Sequence, residues 1–384
     1  MKNKKLLFVV IGVLLIGLVL AAVIRRKGDE KSVRVGSILV LSGDYKSLGE
    51  QIRDGQTLAM DEINVDPSRK QKLELVFLDS QGEKATALEK VKLLQRDGIK
   101  FIAEVFGSPS ASHTLPYIKQ QDMLFISGVD TGASLTREGG EHFFRIIPSD
   151  KLACQQLSAK AINMGFKRAA VVYINDEWGN GLKTEFEPEY KRLGGEIVTT
   201  VETGKGQDLF QPVIASIKSR KPQLILLFIY PREAALLVKE ARRQQMDVAF
   251  MGTDNLTGSE VTEVGGDAVQ GVMYVVPKAT NDSERSEHFK QLYAQKFGPG
   301  KEPPLFTALG YDAVHLMATA IEDSAGDVGK AKQVLENIKY VGATGPITFS
   351  PDHELNVFDY QLKVYRKVGD TIAAENYEPE PQRQ

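Results

Sequence analysis

The feature that most constrains this chain is an alternation. Short apolar runs alternate with stretches of helical apolar spacing, and the alternation occurs twice, before and after about residue 149. In the first round, strands are expected near residues 33–41, 73–79, 101–106 and 123–127. Helices are expected over 52–64, 85–97 and from Ser108-Pro109 to about Gln121, with a loop at 42–51. In the second round, strands are expected near 169–174, 196–202, 224–228, 248–251 and 271–276, with helices at 151–164, 182–193, 209–219, 231–244 and 259–265. This rhythm means an α/β fold with mostly parallel sheets, and two rounds of it imply two similar lobes. After Pro277 the pattern changes to helices at 283–297, 305–324 and 328–338. Strands near 345–349 and 359–366 follow, and these last pieces are expected to pack back onto the lobes.

Residues 101–137 show what such a chain can do. Two apolar runs joined through one helix make a right-handed βαβ unit, so the loops after both strands open on the carboxyl edge of the sheet, where open α/β folds bind ligands. Ser108 lies on the first of these loops and Thr131 on the second. The N–H groups of Ser110 and Ala111, at the start of a helix, are expected to be free to attract an anion. A small pocket for a carboxylate follows. Ser108 fits equally well as a plain helix cap.

The first 32 residues stand outside the fold. Lys2, Lys4 and Lys5 precede the uncharged apolar run 6–24, and Arg25, Arg26 and Lys27 follow it. The run is just long enough to span a bilayer and longer than the usual core of a secretory signal, so it reads as an uncleaved signal anchor, with a cleaved signal peptide as the alternative. In either case the remainder is expected outside the cytoplasm. The leader carries a net +5 against −2 for the whole chain, which leaves about −7 on the rest and argues against a nucleic-acid partner. Cys154 is the one cysteine, so no internal disulfide can form and the core alone must hold the fold.

Catalytic and metal chemistry find no support. The five histidines, His113, His142, His288, His315 and His353, are scattered without metal spacing, and His315 sits on an apolar helix face as a packing residue would. No GxSxG elbow occurs. Gly179-Asn180-Gly181 opens a helix after a strand, but Thr184 stands where a dinucleotide fingerprint needs its third glycine. Those glycines are read as turn residues that let the loop approach a ligand or the other lobe. Three strand ends of the second round each carry a ligand-type residue: Trp178, the only tryptophan, Tyr230 and Asp254.

Taken in order, these residues match a known family. From residue 33 to about 370 the chain resembles the type I periplasmic solute-binding proteins of the branched-chain amino acid transport class, the leucine/isoleucine/valine-binding proteins. The resemblance rests on Leu41-Ser42-Gly43 with Gly49 and Gly55, Met60-Asp61-Glu62-Ile63-Asn64, the GSPSAS loop, Phe125-Ile126-Ser127, Leu135-Thr136, Phe144-Arg145, Pro148-Ser149-Asp150, Trp178-Gly179-Asn180-Gly181, Asp208-Leu209-Phe210 and Phe250-Met251-Gly252. It implies two Rossmann-like lobes joined by three crossovers, near 148–150, 277–279 and 343–346. Lobe 1 would hold 33–149 plus 278–344, lobe 2 would hold 150–277 plus 345–375, and 376–384 would be a tail. By position, Ser108 and Thr131 would hold a ligand α-carboxylate with a backbone N–H at Val129 or Thr131. Asp254 would receive the α-ammonium, and Tyr230 and Trp178 would close over it.

Four residues depart from the family pattern. Leu48 stands where an aromatic is common, Trp178 replaces a Tyr, Asp254 replaces a Glu, and Asp130 puts a carboxylate beside the expected carboxylate site. An inward Asp130 would favour a more cationic ligand. The resemblance implies a monomeric, non-enzymatic receptor without cofactor or metal, on the periplasmic or extracellular side and tethered by residues 6–24. It would bind a branched-chain or other apolar amino acid and serve ABC permease subunits. The alternative is a tethered sensor of the same fold that binds an amide or other small solute without transport.

Overall fold

The computed structural model describes residues 32–43, 45–278, 283–355 and 359–377. The expected anchor at 6–24 lies outside the described residues, as does most of the expected tail. Among the described residues no helix is long and apolar enough to cross a membrane.

The first lobe runs β1 (Ser32–Leu39), α1 (Lys46–Val65), β2 (Lys72–Asp79), α2 (Lys84–Arg96), β3 (Phe101–Val105), α3 (Ser108–Gln120), β4 (Leu124–Ser127), α4 (Leu135–Gly139) and β5 (Phe143–Arg145). The second runs α5 (Asp150–Asn163), β6 (Arg168–Ile174), α6 (Glu177–Arg192), β7 (Glu196–Thr203), α7 (Gln211–Ser219), β8 (Leu224–Phe228), α8 (Pro231–Arg243), β9 (Ala249–Gly252), α9 (Glu260–Gly265) and β10 (Met273–Lys278). Then come α10 (Glu284–Phe297), α11 (Leu305–Ser324), α12 (Val328–Glu336), β11 (Tyr340–Gly342), β12 (Gly345–Ile347), β13 (Asp359–Val368) and β14 (Thr371–Asn376).

One sheet has the order β2-β1-β3-β4-β5 and is parallel throughout. The other has the order β14-β13-β10-β9-β8-β6-β7; its first five strands in sequence are parallel, and β13 and β14 are added antiparallel. The central strands β3, β4 and β8 are buried at every position, as strands covered by helices on both faces must be. β14 was not foreseen, because its sequence TIAAEN is half exposed and shows no apolar run.

The chain passes between the lobes three times. The first passage is at residues 146–149; for the second, Lys278 ends β10 of the second sheet and Glu284 begins α10 of the first lobe. Phe349 and Leu355 still pair within the first lobe and Asp359 opens β13 of the second sheet, so the first lobe extends past the expected 343–346. Ile347 and Phe349 are buried with Phe144, Phe289 and Phe306 in the first lobe's core, so α10–α12 and the hairpin β11–β12 all belong to that lobe. Asp312 of α11 fastens the hairpin: its carboxylate accepts from the Ala343 N–H at 2.7 Å, the Thr344 N–H at 2.9 Å and the Thr344 hydroxyl at 2.6 Å.

Helix α1 begins six residues earlier than the sequence suggests. Its first turns carry Leu48, Gly49 and Ile52 inward, and two glycines let the backbones meet. A Cβ on Gly55 would lie 1.8 Å from the Thr307 carbonyl oxygen, and one on Gly310 would lie 2.6 Å from that of Ile52. Nearer the start of α1, a Cβ on Gly49 would lie 1.9 Å from the Val40 carbonyl oxygen, so the first turn packs directly on the carboxyl end of β1.

Candidate ligand site between the lobes

The carboxyl ends of both sheets face one cleft. A cavity of about 70 Å³ lies there, and Ser108, Val129, Thr131, Trp178, Tyr230 and Asp254 all line it. The first three come from the β3 and β4 loops of one lobe, the last three from the β6, β8 and β9 ends of the other. The remaining walls include Tyr45, Leu48, Phe106, Asn255 and Phe306. Of these, Leu48 was singled out in the sequence as a departure from the family pattern, and the others went unremarked as ligand contacts. Tyr45 could have been found by applying the strand-end rule to β1 as well; Phe306 comes from α11, where nothing local marks it.

Ser108 does not cap its helix. Gly107 holds the cap position with φ 96°, a backbone conformation that suits glycine, and the Ser108 hydroxyl instead accepts from the Gly132 N–H at 3.0 Å. It thus ties the two ligand loops together and keeps its own proton for a further acceptor. One expectation fails here, and of the two backbone donors expected, Val129 or Thr131, Val129 is already engaged. The N–H groups of Ser110 and Ala111 are not free but donate to the Gly107 carbonyl at 2.8 and 2.9 Å. The Val129 N–H donates to the Ser127 hydroxyl at 3.2 Å. Side-chain hydroxyls, more than a helix terminus, therefore supply the donors of this lobe.

Asp130 points away from the cleft. It is fully buried beneath it, with its carboxylate 3.0 Å from the Ser127 hydroxyl, which also bonds Glu104 at 2.9 Å. Burial pushes the Glu104 carboxyl well above its ordinary value and the Asp130 charge pushes it further; burial also raises Asp130, to about 7. Each carboxyl's charge raises the other's affinity for a proton, which favours one proton shared by the pair. Arg145, fully buried, donates to the carbonyls of Asp130 at 3.2 Å and Gly132 at 2.7 Å and pairs with Glu354, which also accepts from the Thr136 hydroxyl at 3.1 Å. One guanidinium thereby joins the ligand loop to segments beside the first and third interlobe passages.

In the second lobe Asp176 sets both aromatic walls. Its carboxylate accepts from the Gly179 N–H at 2.8 Å, capping α6, and from the Tyr230 hydroxyl at 2.7 Å. Trp178, in the first turn of that helix rather than on a loop, stacks on Tyr230 with centroids 5.2 Å apart. Gly179 serves packing, since a Cβ there would lie 2.2 Å from the Ile174 carbonyl oxygen. Asp254 is 7 % exposed, and burial raises it to about 6 against the pull of nearby backbone N–H groups. Asp150, also buried, is raised to about 8 by burial and by the Asp254 charge. No Lys or Arg occurs among the described residues that line the cavity.

The lobes are closed on one another. Ser47 donates to Glu260 at 2.6 Å, Lys84 pairs with Glu177 at 2.7 Å, and Lys205 reaches Glu83 at 2.7 Å and the Gly82 carbonyl at 2.8 Å. His315 is a core residue of the first lobe, 2 % exposed and bonded to Glu62 at 3.2 Å, away from the cleft.

A family model described as periplasmic binding protein matches residues 32–364. The chain belongs to that family, among the relatives named as Leu/Ile/Val-binding proteins. It is 24% identical over 332 residues to the leucine-, isoleucine-, valine-, threonine- and alanine-binding protein of Pseudomonas aeruginosa, covering 85% of this chain and 88% of that one. Its fold is that of a leucine binding protein from Thermotoga maritima (TM-score 0.82, 22% identity, 89% and 97% of the two chains). It is equally that of a solute binding protein from R. palustris solved with benzoate (TM-score 0.79, 20% identity, 91% and 98%). As a periplasmic binding protein, the chain is a solute receptor built from two α/β lobes.

Proposed function

We propose that this receptor captures an apolar amino acid as its zwitterion, by closure of the lobes, and delivers it to ABC permease subunits. One observation carries the proposal: Ser108 and Thr131 from one lobe and the buried acid Asp254 from the other line one cavity, whose remaining walls are mostly aromatic and aliphatic. In this assignment the hydroxyls take the α-carboxylate, Asp254 takes the α-ammonium, and Tyr230 and Trp178 cover the side chain. The binding energy drives the open–closed equilibrium only through contacts that exist in the closed form. The apolar run 6–24 keeps the receptor at the outer face of the cytoplasmic membrane. Relatives that bind aliphatic amino acids support the choice of ligand. An aromatic acid, as in the R. palustris structure, is the second reading, favoured by the ring-lined walls. It leaves Asp254 facing a ligand with no cation to pair with, which is costly in a buried site.

Thermal unfolding of the protein, stripped of carried ligand by unfolding and refolding, separates the two. An aliphatic amino acid at 100 times its Kd adds about 2.7 kcal/mol. Stabilisation by benzoate and by no amino acid would transfer the assignment to aromatic acids.

The pH profile follows from Asp254. An ammonium ligand binds the ionised carboxylate, and in the free protein that carboxylate gains a proton as pH falls through about 6. Affinity is therefore level near pH 7 and drops about tenfold per unit well below 6. Titrations at pH 7 and 4.5 that give equal Kd would remove Asp254 from the ammonium site.

A further inference from the structure

We propose that Tyr45 is a gate between the lobes that sets how long a ligand the closed cleft accepts. This rests on the assignment of the cleft as the ligand site and adds a specificity residue to it. Tyr45 lies at the carboxyl end of β1, just ahead of α1, in the first lobe, and is 5 % exposed. Its ring meets the ring of Tyr230 in the second lobe, with centroids 4.3 Å apart and planes tilted by 43°. Tyr230 is itself fixed from behind, by the Asp176 carboxylate at 2.7 Å and by the stacked Trp178.

The far side of the gate is fixed as well. The Lys205 ammonium, from the second lobe, lies 5.8 Å from the Tyr45 ring centre while it bonds the Gly82 carbonyl and Glu83 of the first lobe. Tyr45 is therefore held between two groups of the opposite lobe, and this arrangement exists only when the lobes are closed. Aromatic pairs of this kind are stabilising beyond the surface they bury. The ring also forms part of the wall of the 70 Å³ cavity that Ser108, Thr131 and Asp254 line.

Selection then works through closure rather than through a rigid pocket. A ligand short enough to leave the Tyr45–Tyr230 contact in place gains both its own contacts and those of the gate. A longer one wedges the rings apart and loses the gate together with the Lys205 bridge. Leu48, on the first turn of α1, lines the cavity without reaching across it in any aromatic contact, so Tyr45 supplies the ring at this loop.

The test uses the full-length chain with leucine and phenylalanine as probes, in wild type, Tyr45→Ala and Tyr45→Phe. Calorimetry is expected to show wild type preferring leucine by about tenfold or more. Tyr45→Ala narrows the preference at least tenfold by gaining on phenylalanine, and Tyr45→Phe keeps it because the ring is retained. A leucine-to-phenylalanine ratio in Tyr45→Ala within twofold of wild type overturns the gate. A second readout needs no ligand. Spin labels at Ala85→Cys and Ala215→Cys, exposed sites on opposite lobes, report the interlobe distance, and the native Cys154 is buried and spared. Tyr45→Ala is expected to shift the stripped protein toward longer distances. If no amino acid binds wild type, the ligand assignment falls and this distance decides the gate: an unchanged distribution overturns it.

Discussion

In Asp254→Ala, amino-acid affinity is expected to fall by about 10²–10³-fold, while the unliganded protein keeps or slightly gains stability. The two halves have one cause. Removing one partner of a buried, hydrogen-bonded charge pair costs about 2–5 kcal/mol of binding, largely because the other charge is left unpaired. Without ligand, Asp254 is a carboxylate held above its ordinary range by burial, so the folded protein carries a desolvation cost that alanine removes. Calorimetry of the variant measures the first effect and thermal unfolding without ligand the second. Asp254→Asn sharpens the result: it keeps the shape and backbone contacts, so an equal loss would identify charge as the cause. Wild-type affinity in Asp254→Ala would sink the ammonium assignment and leave the hydroxyl pair as the only anchor.

Arg145→Met is expected to cost about 3–5 kcal/mol of folding stability, the range for breaking one side of a buried ion pair. The guanidinium is fully buried, and its removal strands the Asp130 and Gly132 carbonyls and the Glu354 carboxylate together. Glu354 retains 26% side-chain exposure and can recover water, so Glu354→Gln is expected to cost much less. Urea unfolding of both variants, read at constant slope, makes the comparison. A loss under about 1 kcal/mol in Arg145→Met would mean that the loop carbonyls find other donors and that the clamp is dispensable. The same variant should also loosen the loop that carries Val129 and Thr131, so its ligand affinity falls even where it remains folded. Lysine at this position is a poor substitute, because one ammonium cannot serve two carbonyls and a carboxylate in the geometry of a planar fork.

The Glu104–Asp130 pair shows why an acid beside an anion site need not repel the ligand. One proton shared within the pair is favoured, and the Ser127 hydroxyl connects both carboxyls to the loop above them. The loop is thus braced from below by a protonated network and from the side by Arg145. Its binding face is left to Ser108 and Thr131.

The alternation of apolar strands and helices, repeated about residue 149, was sufficient by itself to define two α/β lobes. It also put Ser108, Thr131, Trp178, Tyr230 and Asp254 near the carboxyl ends of strands, while the single cleft between the lobes was what the family resemblance implied. The lobes and the strand ends are consequences of local patterning: a parallel strand must be reached by a crossover, and all carboxyl ends then fall on one edge. Contacts that depend on residues far apart in the chain were decided only by the tertiary structure. The first lobe extends past the expected 343–346 because Ile347 and Phe349 are claimed by its core. Gly55 and Gly310 let two helices, some 250 residues apart, touch backbone to backbone. Asp130 turned away from the ligand because its carboxylate bonds the Ser127 hydroxyl, which also holds Glu104 of the adjacent strand, and the Val129 N–H is taken by the same hydroxyl. Periodicity reports which face of an element is buried; which partner each buried polar group finds is settled only when the lobes are assembled, because burial then makes every unpaired donor or acceptor costly.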